Sequence, residues 1–135
     1  MTRGLTLSLL GGGVALALGA ARLPSGLAQA QPGLWEISGA PGTSVLIRQC
    51  VTDIAMLTRF EHRATPNCRA DTVRNSGSEI AIDYSCGAAG FGHSDVTILT
   101  PRSLRIATQG ISGGLPFNYV LQARRMGECP LSHRY

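Results

Sequence analysis

The sequence contains no lysine: all twelve basic side chains are arginines, against eight acidic ones, for a formal net charge of +4. Without a lysine amine, the chain can form neither the Schiff base of a pyridoxal enzyme nor a lysine-bearing phosphate loop. Aromatic residues make up only 5% of the chain, and Arg124 and Arg125 are the only adjacent arginines. Because nucleic-acid binding relies on basic clusters and stacking surfaces, we expect no nucleic-acid partner.

The amino-terminal region has the pattern of a secretory signal. An apolar, uncharged run from Leu5 to Ala21 is followed by small residues that end at Ala30. Signal peptidases cut after such small side chains. We therefore predict a signal peptide over residues 1–30, cleaved after Ala30, and a single exported domain over residues 31–135, periplasmic or secreted. After cleavage we expect no membrane span; an uncleaved anchor is the alternative, because the apolar run is long for a signal peptide.

Four cysteines lie in the predicted exported part: Cys50, Cys68, Cys86 and Cys129. An even number of cysteines in an exported chain favours two disulfides. Three pairings are open, and we favour Cys50 with Cys68 and Cys86 with Cys129. A metal site is the competing interpretation, but zinc ligands come in closely spaced pairs and these cysteines do not. The predicted metal and cofactor content is therefore none.

Apolar and polar residues alternate through most of the predicted domain, which is the pattern of strands with one buried face. Seven strands are predicted, at residues 34–38, 43–51, 68–74, 80–86, 96–100, 104–108 and 117–126. Thr52 is the predicted amino-terminal cap of one short helix, and residues 87–92 and 110–116 are expected to be flexible or loop segments. Tight turns between consecutive strands predict a mainly β fold. We expect a curled antiparallel meander or partly closed barrel of about seven strands, with the helix near one edge.

Three segments together resemble a known family. They are Pro32-Gly33-Leu34-Trp35-Glu36 near the predicted cleavage site, Cys50-Val51-Thr52, and Arg125-Met126-Gly127-Glu128-Cys129 near the end. In this order, with four cysteines, they resemble small exported bacterial proteins known as domain of unknown function number thirty-six seventeen. The resemblance implies an exported, mostly β, disulfide-linked protein without an established activity, and it supplies no catalytic residues.

A serine motif offers the sharpest catalytic hypothesis. Ser112 lies in a G-x-S-x-G pattern, and Glu128 and His133 follow in the order of an α/β-hydrolase triad. That motif requires a turn from a strand into a helix within a much larger sheet. Here a proline-containing strand is predicted to follow Ser112, so a glycine-rich turn is the better interpretation, and a small hydrolase ranks third among the functions considered.

Histidine and acidic side chains offer a second hypothesis. His93 and Asp95 lie two positions apart and would share one face of a strand, near Glu61 and His62 only if the fold brings them together. Such a group could bind a metal or transfer protons. A solvated strand end is the better interpretation of these residues, because three histidines without a motif are ordinary, so we assign them no catalytic role.

The leading functional hypothesis is a non-enzymatic binding or interaction module. A small apolar ligand would lie between Trp35, Ile82, Tyr84, Phe117 and Tyr119 inside the curled sheet, or the partner would be an envelope protein. The alternative is a structural or stress-related envelope protein in which the same aromatic side chains simply fill the core. A lined cavity would favour binding, and a packed interior would favour the structural role.

Overall fold

A computed structural model describes residue 12 and residues 26–131 of the chain. Most of the predicted signal peptide, and His133, lie outside these residues. Within the described part, no helix is long and apolar enough to cross a membrane.

Seven strands and one short helix make up the fold. The strands are β1 (Gly33–Ser38), β2 (Ile47–Val51), β3 (Arg69–Asn75), β4 (Glu79–Ser85), β5 (Gly90–Thr100), β6 (Ser103–Ser112) and β7 (Leu115–Gly127). The helix α1 is Ala55–Thr58, and short 3₁₀ turns cover Leu27–Gln29, Phe60–His62 and Gly87–Ala89. All strands pair antiparallel in one sheet, in the order β2-β1-β7-β6-β5-β4-β3. The predicted mainly β fold is confirmed, as a sheet that does not close.

The sheet curls around a single apolar core. Inward residues of six strands meet in one buried cluster, including Trp35, Ile37, Val51, Ile80, Val96, Leu104, Ile106 and Leu121. Several of these side chains are 0% exposed although the helix and turns beside the sheet are short, so the sheet itself must curve to cover them. The curl therefore follows from the alternation that the sequence shows.

The helix lies over the middle of the sheet rather than near an edge. It packs against β6, and the Ser94 hydroxyl of β5 donates a hydrogen bond to the Thr58 carbonyl over 2.5 Å. Its amino-terminal cap also differs from the prediction. The Asp53 carboxylate, one residue after Thr52, accepts the N–H of Ala55 over 3.0 Å. An aspartate at this point satisfies an amide that the helix itself cannot pair.

The last three strands are longer than predicted, so the segments expected as loops at 87–92 and 110–116 are wrong in extent: they shrink to the turns at Gly87–Ala89 and at Gly113 and Gly114. β5 already begins at Gly90, and only Gly113 and Gly114 separate β6 from β7. Both glycines have positive φ, 57° and 81°, as the tight two-residue hairpin turn requires. β2, in contrast, begins at Ile47 and not at Thr43.

Both predicted disulfides exist, but their predicted pairing is wrong. Cys50 is bonded to Cys129, with Cα atoms 5.4 Å apart, and Cys68 is bonded to Cys86, with Cα atoms 4.2 Å apart. The Cys68–Cys86 bond follows from the β3–β4 hairpin, because these residues continue its register just beyond the pair Arg69 and Ser85. The Cys50–Cys129 bond joins edge strand β2 to the end of β7.

The segment before β1 takes part in the core. Leu27 is 0% exposed and Ala30 is 3% exposed, and both belong to the buried cluster. A side chain at Gly26 would collide with the side chains of Ile80 and Ile98. Cleavage after Ala30, which remains a prediction, would therefore remove a buried leucine from the folded chain.

Candidate functional site

A row of polar side chains crosses the outer face of the sheet. Asp83 of β4 lies opposite His93 of β5, His93 lies opposite Gln109 of β6, and Gln109 lies opposite Asn118 of β7. Directly opposite residues in antiparallel strands share a face. The four side chains therefore form one line on the surface that faces away from the core.

An apolar row lies beside this polar one. Phe91 lies opposite Ile111, and Ile111 lies opposite Pro116. Phe91 is 55% exposed, which is high for a phenylalanine on a sheet. The two rows are adjacent because Phe91 and His93, like Ile111 and Gln109, are two positions apart on their strands.

The two rows border an open cavity of about 660 Å³, which we call the outer cleft. Its lining residues are Asp83, Tyr84, Phe91, Gly92, His93, Gln109, Gly110, Ile111, Phe117 and Asn118. The volume lies within the range typical of small-molecule sites, roughly 300–1,000 Å³. The outer cleft combines an apolar side with a hydrogen-bonding side, as such sites usually do.

Two glycines make the sheet thin beneath the outer cleft. Gly92 and Gly110 lie opposite each other at inward positions, between Tyr84 of β4 and Phe117 of β7. A Cβ at Gly92 would come within 2.5 Å of the Tyr84 ring. The missing side chain at position 92 therefore lets the Tyr84 ring lie across β5, directly behind the cleft.

Charged groups at the acidic end of the cleft form a connected network. His93 Nδ1 lies 2.5 Å from Asp83 Oδ1, and His93 Nε2 lies 3.2 Å from Asp95 Oδ1. Arg74 extends the network to Asp95 over 3.6 Å. The hydrogen bond to Asp83 is the largest effect that raises the pKa of His93; burial opposes it and Asp95 adds to it. Protonated imidazole donates from both nitrogens, so it can hold both carboxylates at once.

A second polar group lies behind the cleft, inside the sheet. His62 is 3% exposed; its Nε2 donates to the Ala89 carbonyl over 3.1 Å, and its Nδ1 is hydrogen-bonded to the Tyr84 hydroxyl over 3.0 Å. The role of Nε2 follows because a carbonyl oxygen can only accept. Burial raises the pKa of Tyr84 to about 12, which keeps its phenol neutral and able to donate.

The remaining inner polar groups are also paired. The Tyr119 hydroxyl donates to Glu61 over 2.7 Å, and burial, reinforced by this hydrogen bond, raises the pKa of Tyr119. The Ser94 hydroxyl lies 2.9 Å from that of Thr108. In the described part of the chain no buried side-chain nitrogen or oxygen lacks a partner. This inner group therefore fastens the Phe60–His62 turn to the sheet.

The aromatic residues predicted to line a ligand site are divided between the core and the cleft. Trp35 is 0% exposed, and its indole N–H donates to the Gln31 carbonyl over 3.1 Å, so it fills the core. Tyr84 and Phe117 line the outer cleft, and Tyr119 does not. Ile82 is 4% exposed and, like Trp35, belongs to the buried core cluster.

The predicted polar clusters also separate. His93 and Asp95 do meet, as their spacing suggested, but Glu61 and His62 bond to inward-facing tyrosines, on the other side of the sheet. Among the residues that the structure describes, no group of three or more histidine, cysteine or acidic side chains could hold a metal ion.

The serine motif lies in a β-hairpin and not at a turn from a strand into a helix. Ser112 is the last residue of β6, next to the Gly113–Gly114 turn, and another strand follows it. Glu128 is paired with Arg125 over 2.9 Å, and His133 lies outside the described residues. Ser112 is therefore part of a hairpin turn.

Seven of the ten cleft residues were not predicted from the sequence: Asp83, Phe91, Gly92, Gln109, Gly110, Ile111 and Asn118. The pairing register of the strands is the feature that could have identified them. Once Gly113 and Gly114 are recognised as a two-residue turn, counting back along both strands places Gln109 opposite Asn118.

Comparison with known proteins gives one match. No curated protein and no solved structure matches the chain significantly. A family model matches residues 30–129, which include every strand and all four cysteines. The chain therefore belongs to the family described as Protein of unknown function (DUF3617).

Proposed function

We propose that this protein is an exported, non-catalytic binding protein that holds one small amphipathic molecule in the outer cleft. The observation that carries the proposal is the cleft itself: about 660 Å³ of open volume between an apolar row and a polar row. Core packing does not require this arrangement, because the side chains of both rows point away from the core.

The two rows indicate the chemistry of the ligand. Phe91 and Ile111 offer an apolar surface, and an exposed phenylalanine can stack against a flat or aliphatic group. Gln109 and Asn118 each carry a donor and an acceptor on one amide, so together they suit a ligand with a neutral hydrogen-bonding group. Asp83 is tied to His93 at the border of the cleft, so the ligand does not need to supply a counter-charge.

Export is part of the proposal. Two disulfides persist in oxidising compartments and are rare in the cytosol. A signal peptide over residues 1–30, cleaved after Ala30, would deliver the chain to the periplasm or the medium. We assign no catalytic step, because Tyr84, the cleft hydroxyl that contacts a histidine, is only 4% exposed and its pKa is raised, whereas an activated nucleophile has a lowered one.

A structural envelope protein is the second candidate. The observation that favours it is the packed interior, where Trp35 is fully buried and the inner polar groups are paired. In that case the outer cleft would remain empty in the cell. The ligand content of the native protein therefore distinguishes the two candidate functions.

Native mass spectrometry of the protein isolated from its own cells tests the proposal. We expect a bound small molecule in the wild-type protein and its loss in Phe91→Ala, because that substitution removes the apolar side of the cleft. Leu99→Ala is the matched control: Leu99 lies on the same strand and is 56% exposed, against 55% for Phe91, but it does not line the cleft.

The control should keep the ligand. A clean unliganded mass for the wild type would support the structural role instead, and equal retention by Phe91→Ala would place the ligand somewhere other than the outer cleft.

A further inference from the structure

A second, basic cavity lies at the opposite end of the β5–β6 hairpin. Its volume is about 350 Å³, and its lining residues are Thr100, Arg102, Ser103, Arg124, Arg125 and Met126. Along β5, Thr100 is eight residues from Gly92, which is roughly 26 Å in an extended strand. We call this cavity the arginine pocket, and it is separate from the outer cleft.

The fold fixes the walls of the arginine pocket. Ser103 lies opposite Arg124 in the β6–β7 register. The backbone N–H of Arg125 donates to the Arg102 carbonyl over 2.9 Å, which fastens the β5–β6 turn to β7. Arginines from the turn and from the strand are therefore held side by side by the backbone.

Among the described residues, Arg125 is the one arginine of the three that has an acidic partner. The Arg125 side chain is 9% exposed, and it donates to Glu128 and to the Pro32 carbonyl. In residues 26–131, Arg102 and Arg124 make no ion pair. Glu36, the neighbour of Arg124 across the sheet, is bonded to Arg48 over 3.4 Å.

Hydroxyl groups add hydrogen-bond donors to this charge. Thr100 Oγ1 accepts the backbone N–H of Arg102 over 3.1 Å, so the oxygen is held in place while its own O–H can still donate. The Ser103 hydroxyl lines the same cavity. Two guanidinium groups and two hydroxyls form a set of donors that suits a tetrahedral oxyanion.

We propose that the arginine pocket binds a phosphate group, either as the free ion or as the head group of a lipid. A guanidinium presents two parallel N–H groups that match two oxygens of one phosphate. The two unpaired arginines can each take such a pair of oxygens, and the anion supplies the counter-charge that the fold does not. This site goes beyond the proposed ligand of the outer cleft.

Titration with inorganic phosphate at constant ionic strength, followed by the amide NMR signals of Ser103, tests the proposal. We expect saturable one-to-one binding by the wild-type protein. Arg102→Gln and Arg124→Gln should each weaken it by about tenfold, because hydrogen bonds to charged groups contribute that much. Both side chains are exposed, so the variants should fold; an unchanged unfolding midpoint in urea verifies this.

Arg105→Gln is the matched control. Arg105 is exposed on β6 and changes the net charge equally, but it does not line the arginine pocket. Arg105 lies two residues along β6 from Ser103 but, in the described part of the chain, makes no direct hydrogen bond into the pocket, so its screened charge alone should change phosphate binding by no more than about twofold. An equal loss in Arg105→Gln would mean that only net charge matters, and it would overturn the proposal.

Vesicles distinguish the two sources of phosphate. If the site holds a lipid head group, the wild-type protein should sediment with phosphatidylglycerol vesicles and the Arg102→Gln/Arg124→Gln variant should not. If it holds the free ion, inorganic phosphate should bind and the vesicles should not. The absence of both kinds of binding would refute the arginine pocket as a phosphate site.

Discussion

The guanidinium of Arg125 occupies the space that a side chain at position 33 would need. A Cβ on Gly33 would lie 2.7 Å from Arg125 Nε and 2.8 Å from one of its terminal nitrogens. Arg125 lies opposite Trp35 in the β1–β7 register and donates to the Pro32 carbonyl over 3.0 Å. Two of the three segments that carry the family resemblance, residues 32–36 and 125–129, therefore meet in three dimensions and have a structural role.

This contact predicts a specific loss of stability. Arg125→Ala should lower the free energy of unfolding by about 2 kcal/mol, because it removes charge-assisted hydrogen bonds and uncovers the apolar surface beneath its stem. Chemical unfolding in urea measures this. Arg124→Ala, at an exposed neighbouring position, should change the free energy by no more than about 0.5 kcal/mol. Equal effects in the two variants would contradict a specific role for Arg125.

The two disulfides should differ in their contribution to stability. The Cys50–Cys129 bond closes a loop with a sequence separation of 79, and the Cys68–Cys86 bond one of 18. In the chain-entropy model these loops contribute about 4.5 and about 3 kcal/mol. Urea unfolding of Cys50→Ser/Cys129→Ser and of Cys68→Ser/Cys86→Ser should therefore show the larger loss in the first pair. The opposite order would mean that native-state contacts outweigh the loop entropy.

The strands could be predicted from the sequence because alternation is a local signal. Their order could not, since β1 pairs with β7, the strand farthest from it in the chain. That pairing brings Cys129 near Cys50, and an interpretation based on chain neighbours misses it. The Cys68–Cys86 pairing depends on an irregularity in the β3–β4 hairpin. Next to the turn Asn75 lies opposite Ile80, and only the register shift between Thr72 and Arg74 places Cys68 opposite Cys86, which counting from the turn does not reveal.

The outer cleft could be predicted only in part. The spacing of His93 and Asp95 indicated a polar strand face, and the structure confirms that they meet. The apolar side depends on Phe91 and Ile111, whose pairing is set by register across a hairpin expected to be a loop. Trp35 was expected in the ligand site but fills the core. Nothing in its local sequence distinguishes a core tryptophan from a ligand-stacking one.

The His93 network predicts a dependence of stability on pH. The pKa of His93 is raised above its usual 6.5, chiefly by the hydrogen bond to Asp83. A raised pKa in the folded state means that the imidazolium stabilises the fold fully below about pH 6.5, and that this contribution is lost as pH rises through the folded-state pKa. The difference in unfolding free energy between wild type and His93→Gln should therefore be largest in mild acid.

An NMR titration of the His93 ring protons checks the cause directly. Asp83→Asn should move the pKa of His93 back toward 6.5, and the more distant Asp71→Asn should move it less. If Asp83→Asn left the titration unchanged, the hydrogen bond would not be the origin of the raised pKa.

The buried position of Leu27 provides a test of signal cleavage. In a chain that keeps residues 26–30, Leu27→Ala should lower the free energy of unfolding by about 3 kcal/mol, because it leaves a cavity beside the core. Cleavage after Ala30 removes residue 27, so the same substitution should have no effect on the exported protein. Gln29→Ala, a substitution at an exposed position, is the control for both the uncleaved and the cleaved protein. An exported protein destabilised by Leu27→Ala would place the cleavage site before residue 27 and would make the buried leucine part of the mature fold.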